Sequence, residues 1–489
     1  MSGEPHIQFD ARLLIDGSLV DTDRHYANID PYSEKVLGYT PEATLVDTQA
    51  AIVAARRAFD RTRWRTDHDF RATCLMQLHD GLLRRVEELR TILVSESGCP
   101  IFMTRGQQLD LAIAEIVNWS AMARQYAYES YLSPTAGPSG TSERLVLREP
   151  IGVGALIAPY NYPVNMLITK LGPALAAGNT VVLKPSPHTP WTAAFIGEVA
   201  ALETDIPAGV FNVITGSGTD VSSVMVEHPL VDFVHFTGST EVGRRIMANA
   251  AGTVKKVILE LGGKSAHIVL DDADIEAAVR FTVARMSRHS GQGCTNLTRL
   301  LLPRRHFDGA LEVAAEAAAE VVWGDPMSER THMGPQISEK SRQRVLGAID
   351  RAVGEGGRLI AGGAAPDSKG FFVEATVIAD VSPKSALAQE ELFAPVLAVL
   401  SYEDDDEAVA IANDSIYGLS GAVTGGSDRR ALEVARRVTT GTMDVNNATW
   451  FAPDSPFGGL KQSGLGTDWG VYGLEECLQT RIIGHPPLS

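Results

Sequence analysis

From Ile151 onward, short apolar runs alternate with segments of helical spacing, and this alternation constrains the fold more than any other feature. The run VGALI is followed by a segment from Pro163 to Ala177 with leucines every four residues, and then by TVVLK, which ends at Lys184. Proline at the start and Gly178 just after the end are typical helix boundaries. A strand, a helix and a strand in this order predict a mostly parallel sheet covered by helices, an α/β fold.

A second set of such elements begins at Ser265 with SAHIVL. A segment with an apolar face follows, and it is predicted to end at the turn formed by Gly291, Gln292 and Gly293. The apolar runs RLLLP, VLAVLSY and SGAVTG extend the pattern to about Asn446. We therefore expect two α/β units that share a cleft.

The remaining segments follow other patterns. Helical spacing from Thr48 to Phe59, from Asp69 to Ser97 and from Arg105 to Glu129 predicts a mostly helical N-terminal quarter. The stretch SPTAGPSGTS, which begins at Ser133, predicts a loop or a boundary. The tail after Asn446 fits neither pattern, and we expect part of it to pair with another subunit.

Composition excludes several classes of protein. A formal net charge of -17 argues against nucleic acid as the principal partner. The beginning of the chain, with Glu4 and His6, lacks a basic leader, and no apolar run is long enough to span a membrane. The four cysteines show no C-x-x-C spacing and no secreted disulfide pattern, so a cytoplasmic protein is expected.

Cys294 is the first candidate for chemistry. It lies in GQGCTN, where glycines permit close backbone approach and can present a thiol in a cleft. Its backbone N–H is also placed to donate to an oxyanion. A single cysteine is more often an inert buried side chain, so the residue type alone leaves both readings open.

Two further residues have suitable chemistry. Glu260 ends the apolar run VILEL directly before two glycines, and burial there would raise its pKa toward that of a general base. Asn161, in PYNYP between a strand and a helix, offers an amide donor for a developing oxyanion. The alternatives are that Glu260 is a glutamate in a surface turn and that Asn161 is an ordinary helix cap.

The remaining signals suit a nucleotide. The turns TGSG, from Thr215, and FTGSTEVG, from Phe236, each follow a strand and open a helix, as pyrophosphate sites do, although neither is the full G-x-G-x-x-G pattern. Lys184 ends a strand before a proline, where it can meet ribose hydroxyls. The simpler interpretations are that Lys184 is an ordinary exposed lysine and that Glu390 and Glu391 are a solvated acidic pair.

Together, and in this order, these segments resemble the aldehyde dehydrogenase superfamily across nearly the whole chain. The matching segments are PYNYP, KPS, FTGST, ELGGK, GQGCT, EELFAPV and PFGGLKQSGLG. The resemblance implies two Rossmann-like α/β domains, with residues 1–130 and 146–258 binding a dinucleotide and residues 259–446 forming the catalytic domain. Residues 131–145 and 447–489 would be oligomerisation or bridging segments of a homodimer or homotetramer.

The resemblance also implies residue roles. Cys294 would be the nucleophile, Glu260 the general base, Asn161 the oxyanion donor, and Lys170 with Asp468 a proton relay. No metal is expected. The cofactor-binding residues would be Ala158, Pro159, Tyr160, Lys184, Ser186, Gly218, Phe236, Gly238, Ser239, Val242, Leu261, Gly262, Glu391 and Phe393. The substrate entrance would be lined by Tyr162, Met166, Thr169, Trp450, Phe451 and Phe457.

Three departures from the family pattern matter. Pro187 stands where many NAD-preferring members have a glutamate that binds the 2′-hydroxyl, so NADP is possible beside NAD. Asp468 is one methylene shorter than the usual glutamate, and Ala394 replaces a common glycine.

The expected reaction is oxidation of an aldehyde to a carboxylic acid through a thiohemiacetal and a thioester on Cys294. The large apolar entrance favours medium aliphatic or aromatic aldehydes. Two alternatives are a CoA-acylating enzyme, which the presence of Glu260 argues against, and a catalytically silent homologue, which the complete set of chemical residues argues against.

Overall fold

A computed structural model describes residues 9–138 and 140–488 of the chain. The prediction that concerned Glu4 and His6 lies outside these residues. The strands are β1 Leu13–Ile15, β2 Ser18–Val20, β3 His25–Ile29, β4 Val36–Pro41, β5 Glu129–Gly137, β6 Gly140–Pro150, β7 Val153–Ile157, β8 Thr180–Lys184, β9 Phe211–Val213, β10 Phe233–Thr237, β11 Lys256–Glu260, β12 Ser265–Val269, β13 Leu297–Pro303, β14 Arg358–Ala361, β15 Thr376–Ala379, β16 Val396–Tyr402, β17 Tyr417–Gly418, β18 Gly421–Thr424, β19 Asp444–Val445, β20 Leu460–Lys461, β21 Gly464–Leu465 and β22 Leu478–His485.

Helices lie on the faces of the sheets and between them. They are α1 Leu45–Arg61, α2 His68–Arg84, α3 Val86–Ser97, α4 Ile101–Thr104, α5 Asp110–Gln125, α6 Pro163–Ala177, α7 Pro190–Glu203, α8 Asp220–Glu227, α9 Thr240–Ala250, α10 Ile275–Ser287, α11 Phe307–Ala319, α12 Glu339–Gly354, α13 Ala386–Gln389, α14 Asp405–Asn413, α15 Asp428–Ala435 and α16 Gly470–Glu476. Within the described ranges, no helix combines the length and apolar composition needed to cross a bilayer.

The first sheet has the order β2-β1-β9-β8-β7-β10-β11-β21, and its strands from β9 to β11 are parallel. Helix α6 packs beside it and has the predicted bounds. It begins at Pro163, whose missing N–H costs nothing in a first turn, and is followed by Gly178 at a φ of 101°. Since these local signals coincide with an almost wholly buried helix, the predicted β-α-β unit is confirmed.

The second sheet has the order β14-β15-β16-β13-β12-β18-β19 and is parallel from β15 to β19. The central strands β12, β13 and β16 bury nearly every side chain, as expected for a sheet covered on both faces. The predicted α/β class with two parallel sheets is therefore confirmed. Glu260 lies at the carboxyl end of β11, and Cys294 lies just before the amino end of β13.

The N-terminal quarter is mostly helical, as predicted, through α1 to α5. It also contains β1 to β4, and Asp16 and Gly17 at positive φ form the tight turn between β1 and β2. Two other local predictions were wrong. The stretch that begins at Ser133 is not a loop, because β5 and β6 pair there and β22 adds to β6. The segment predicted from Asp69 to Ser97 is two helices, which meet at Arg85 in a non-helical conformation.

Candidate active site

Cys294 lies in a strained turn between α10 and β13. Helix α10 ends at Ser287, earlier than predicted, and His289, Ser290 and Gly291 then adopt left-handed backbone conformations. Such conformations are costly for residues with a Cβ and persist only where the surroundings enforce them. At Gly291 a Cβ would collide with the backbone of Ala394, so close packing fixes the path of the chain that leads to Cys294.

Cys294 is the one cysteine of the four that is not buried. Burial and the nearby carboxylates Glu391 and Glu260 raise the pKa of its thiol to about 12. A raised pKa favours the protonated thiol at neutral pH, and reaction as a nucleophile requires loss of that proton.

Asn161 lies against the same turn. Its side-chain Nδ2 donates to the backbone carbonyl of Gln292 at 2.9 Å, and its backbone carbonyl accepts from Gln108 Nε2 at 2.9 Å. Gln292 is held in turn, because its Oε1 accepts from the backbone N–H of Ile337. The Asn161 amide is thus fixed beside the loop that carries Cys294.

Glu260 ends β11 and is 2% exposed. Neither carboxylate oxygen has a hydrogen-bond partner among the described residues. Burial, with repulsion from Asp468, raises its pKa well above the ordinary value although Lys170 acts in the opposite direction. A buried carboxyl with a raised pKa and free oxygens has the properties of a general base that works near neutral pH.

Lys170 and Asp468 lie in the buried cluster behind Glu260. Lys170 Nζ donates to Thr237 Oγ1 at 2.5 Å, and burial lowers its pKa against the pull of Asp468 and Glu260. Sequence reasoning missed His235, whose Nε2 lies 2.9 Å from Asp468 Oδ1. Burial acts to raise the pKa of Asp468, but His235 and Lys170 outweigh it and hold that pKa below its ordinary value.

A cavity of about 250 Å³ opens in front of Cys294. The predicted entrance residues that line it are Tyr162, Met166, Trp450, Phe451 and Phe457. Trp469, which was not predicted, is at the centre of the aromatic group, with ring centroids 4.6 Å from Phe451 and 5.1 Å from Phe457. Thr169 lies behind this wall, where its hydroxyl accepts from Trp469 Nε1 at 3.0 Å. The cavity is therefore an aromatic cage with the thiol at its inner surface.

The same cavity is lined by two arginines that sequence reasoning also missed, Arg285 and Arg288. Arg285 lies 3.7 Å from the carboxylate of Asp444, which is itself in the lining. Their position shortly before the nucleophile turn was visible in the sequence, but nothing local indicates that their side chains face the cavity.

On the other side of the nucleophile turn, Lys184 closes β8. Its Nζ donates to the carbonyls of Pro185 and Gly216, and burial lowers its pKa to about 8. Ser186 accepts from the backbone N–H of His188, and Gly218 is open, with no heavy atom within 4 Å of a Cβ built there. These residues line a polar edge at the carboxyl ends of β8 and β9, where nucleotides bind in open α/β sheets.

The loop between β10 and α9 continues this edge. Ser239 caps α9, with its hydroxyl accepting from the backbone N–H of Val242. At Gly238 a Cβ would collide with the ring of Phe236, and at Gly243 with Leu261, so the loop is held flat against the sheet. A helix N-terminus whose backbone N–H groups can closely approach a ligand is a suitable binding site for a pyrophosphate.

Glu391 completes this side of the site. Its Oε1 accepts from the backbone N–H of Gly263 at 3.0 Å, and burial raises its pKa to about 7. Phe393 has a φ of 53°, and its ring centroid lies 6.0 Å from that of Tyr160, which follows Ala158 and Pro159 at the end of β7. All of the predicted cofactor-binding segments therefore lie along one edge, next to Cys294 and Glu391.

Comparison with known proteins identifies close relatives. The model of the aldehyde dehydrogenase family matches residues 19–483. A 3-succinoylsemialdehyde-pyridine dehydrogenase from a Pseudomonas species is 40% identical over 460 residues, which cover 93% of this chain and 94% of that protein.

Solved structures give the same result. Aldehyde dehydrogenase C from Pseudomonas syringae, in complex with NAD+ and octanal, superimposes with a TM-score of 0.91 at 36% identity, over 98% of this chain and 97% of that one. Betaine aldehyde dehydrogenase from Staphylococcus aureus, in complex with NAD+, has a TM-score of 0.93 at 34% identity, over 98% and 95% of the two chains.

Proposed function

Because this chain belongs to the aldehyde dehydrogenase family, we propose that it oxidises an aldehyde to a carboxylic acid through a thioester on Cys294. The observation that carries the proposal is the position of that thiol, which lines an aromatic cavity and lies near enough to Glu391, on the predicted nucleotide edge, for this carboxylate to raise its pKa. An aldehyde in the cavity is thereby presented to the sulfur and to the edge together.

The chain's own residues supply the acyl-transfer chemistry. Cys294 Sγ adds to the aldehyde carbon after losing its proton, and the Asn161 amide and the Cys294 backbone N–H stabilise the negative oxygen. Glu260 then removes a proton from the water that opens the thioester, which releases the acid. The free oxygens of Glu260 and its raised pKa support this role.

NAD is the proposed cofactor, and the residues of the edge fit it. Lys184 and Glu391 would hold the two riboses, and the N-terminus of α9 with Gly238 and Ser239 would hold the pyrophosphate. When bound there, NAD would supply the acceptor for the hydride of the aldehyde. Pro187 supplies no carboxylate against a 2′-phosphate, so relative rates with NAD and NADP decide the preference.

Lys170 and Asp468 are proposed to pass protons between the Glu260 region and the buried cluster. Their mutual influence on pKa, and the shared influence of both on Glu260, support a coupled group of charges. In such a group, the loss of a proton from one residue favours the uptake of a proton by its neighbour. A proton relay needs this coupling.

The cage favours medium aliphatic or aromatic aldehydes. Trp450, Phe451, Phe457 and Trp469 present flat apolar surface, which suits rings and methylene chains more than short polar molecules. Hexanal and benzaldehyde are therefore expected to exceed glyceraldehyde in kcat/KM, and the opposite order would refute this preference.

We also propose the division into domains 1–130 with 146–258, 259–446, and bridging segments 131–145 and 447–489. The sheet of β5, β6 and β22 exposes Tyr131, Leu132 and Ile482, and its outer strands have free edges that can pair with a second copy. A homodimer or homotetramer is the expected assembly. Cysteines without disulfides, at all four positions, fit a reducing cytoplasm.

The test is formation of NADH from hexanal and benzaldehyde by the purified protein, with and without CoA. Release of free acid at a rate independent of CoA supports the hydrolytic reaction. A requirement for CoA would indicate an acylating enzyme, and the absence of NADH formation with any aldehyde would indicate a catalytically silent member of the family.

A further inference from the structure

Arg288 lines the cavity of Cys294 with a cation that no carboxylate in the described part of the chain neutralises. Its side chain is half-buried, and its Nε is fully buried without a hydrogen-bond partner. Among the residues that the structure describes, no carboxylate or carbonyl accepts from its guanidinium. Burying such donors without an acceptor is costly, so a partner from outside the chain is expected.

Other buried arginines of this protein have acceptors. Arg71 donates to the carbonyls of Ala176 and Trp64, and Arg299 donates to the carbonyls of Lys264, Ile411 and Ala412. Both of these core arginines therefore have acceptors, whereas the guanidinium of Arg288 lies at the wall of a cavity. That location is where a ligand can supply the missing acceptor.

The neighbouring charges leave the cavity positive. Arg285 is opposed by Asp444 at 3.7 Å, which leaves Arg288 as the uncompensated charge of the lining. The rest of the chain is acidic, with a formal net charge of -17, so this local excess of positive charge runs against the average. A guanidinium in this setting selects an anion, and its planar pair of N–H groups matches a carboxylate.

We propose that Arg288 binds a carboxylate carried by the substrate itself, so that the preferred substrates are oxo acids with the aldehyde at one end and the carboxylate at the other. The apolar middle of such a molecule lies against Trp450 and Phe451, and the aldehyde end lies at Cys294. This inference rests on the proposed function and narrows it from aldehydes in general to aldehydes that bear an anion.

The first experiment compares straight-chain oxo acids of four, six and eight carbons with their methyl esters. The ester keeps the length and the carbonyl acceptor but removes the charge. We expect kcat/KM for at least one acid to exceed that of its ester by about 10- to 100-fold, the range of a charge-assisted hydrogen bond. In Arg288→Gln this ratio falls to about one or below, and in Arg288→Lys, which keeps the charge, part of it returns.

Arg280→Gln is the matched control. Arg280 lies on the same helix, α10, but pairs with Glu276, Glu316 and Glu320 outside the cavity. Arg280→Gln changes the net charge by the same amount as Arg288→Gln. An unchanged ratio of kcat/KM for acid and ester in Arg280→Gln therefore shows that the effect of Arg288 is a local contact and not an effect of the protein's overall charge. An equal loss of the ratio in Arg280→Gln and Arg288→Gln would overturn the inference.

A second measurement is independent of turnover. Calorimetric binding of each acid and ester to Cys294→Ala, and to Cys294→Ala with Arg288→Gln, reports the anion site directly. The inference is supported if Cys294→Ala binds the acid more tightly than the ester and if this difference is lost when Arg288→Gln is added. Equal binding of acid and ester to Cys294→Ala overturns it, even where the wild type turns over neutral aldehydes. If the wild type oxidises no aldehyde, the proposed function fails, and this binding comparison still decides the role of Arg288.

Discussion

His235 Nε2 lies 2.9 Å from Asp468 Oδ1, and both side chains are about 1% exposed. The contact joins β10 of the first sheet to the segment that precedes α16. On its other side Asp468 influences Lys170, so a histidine, a carboxylate and an ammonium group share one dry space behind Glu260. His235 therefore acts as a positioning residue for Asp468.

Replacing His235 by phenylalanine removes this partner while keeping a ring in the core. Asp468 keeps a depressed pKa in the folded protein, so its contribution to stability is lost only as pH falls below its unfolded value near 3.9. Burial lowers the pKa of His235, so the contribution of His235 is present above its unfolded value near 6.5 and is lost as pH falls below it. We expect the free energy of unfolding at pH 7.5 to drop by about 1–3 kcal/mol, and the deficit to narrow as pH falls.

Urea unfolding of wild type, His235→Phe and His235→Gln at pH 7.5 and pH 5 measures this effect. Glutamine keeps a donor, so it should recover part of the lost stability and part of any shift in the pH profile of kcat. A purely steric role for His235 predicts the same deficit at both pH values and no recovery with glutamine.

Cys294→Ala is expected to abolish turnover and to keep cofactor affinity. The other cysteines, Cys74, Cys99 and Cys477, are buried and do not line the cavity, so none can replace the missing thiol. Steady-state NADH formation measures the loss, and fluorescence titration with NAD measures the binding. Turnover above one-hundredth of the wild-type rate would contradict the nucleophile assignment.

Glu260→Gln should stall the enzyme after acylation. The amide cannot accept the proton of the hydrolytic water, so kcat is expected to fall by about 10²- to 10⁴-fold while a burst of one NADH per active site remains. Because the pKa of Glu260 is raised, the wild-type deacylation rate should climb with pH through the neutral range, and this dependence should vanish in the variant. Intact mass spectrometry that finds no acyl adduct in the variant would refute the assigned role.

Gly262→Ala should disturb the nucleotide edge through Glu391. A Cβ at residue 262 would collide with the Glu391 carboxylate, whose Oε1 accepts from the N–H of Gly263. Since Glu391 is proposed to hold a ribose, we expect the Kd for NAD to increase about 10-fold or more. Gly252→Ala is the control, because nothing lies within 4 Å of its Cβ. Equal NAD affinity in both variants would show that Glu391 does not bind the cofactor.

The elements that the sequence predicts well are those with local signals. Helix α6 has a proline at its start and a glycine after its end, and its predicted bounds match the structure. The turn at Asp16 and Gly17 carried a hairpin signal as well, but the strands beside it are only three residues long and give no alternation to recognise. Short strands gain their stability from pairing with distant segments, which a local pattern does not contain.

The site divides in the same way. Cys294, Glu260 and Asn161 are marked by glycines or by a strand-to-helix junction, so they could be chosen from the chain alone. His235 lies within an ordinary apolar strand, and its partner is more than 200 residues away. The free guanidinium of Arg288 is likewise a tertiary property, because whether an arginine has an acceptor depends on every element packed around it.

His267 is buried between two threonines, and burial of its neutral ring makes the protein sensitive to acid. Its Nδ1 lies 2.6 Å from Thr282 Oγ1 and its Nε2 lies 2.8 Å from Thr424 Oγ1, and burial lowers its pKa to about 3. A folded pKa below the unfolded value near 6.5 means that its contribution is fully present above pH 6.5 and is lost as pH falls. The loss amounts to at most about 1.4 kcal/mol per pH unit between pH 6 and pH 4.

His267→Gln keeps groups for both threonines but cannot titrate. At pH 7.5 it should be less stable than wild type by about 1 kcal/mol, since the two hydrogen bonds are less well formed. That difference should shrink as pH falls and reverse in sign below about pH 6, because only the wild type takes up a proton at this position on unfolding. Raised pKa values at Glu391 and Glu96 act in the opposite sense but are common to both proteins, so they cancel in the comparison. Parallel plots of unfolding free energy against pH would show that burial of neutral His267 does not contribute to acid sensitivity.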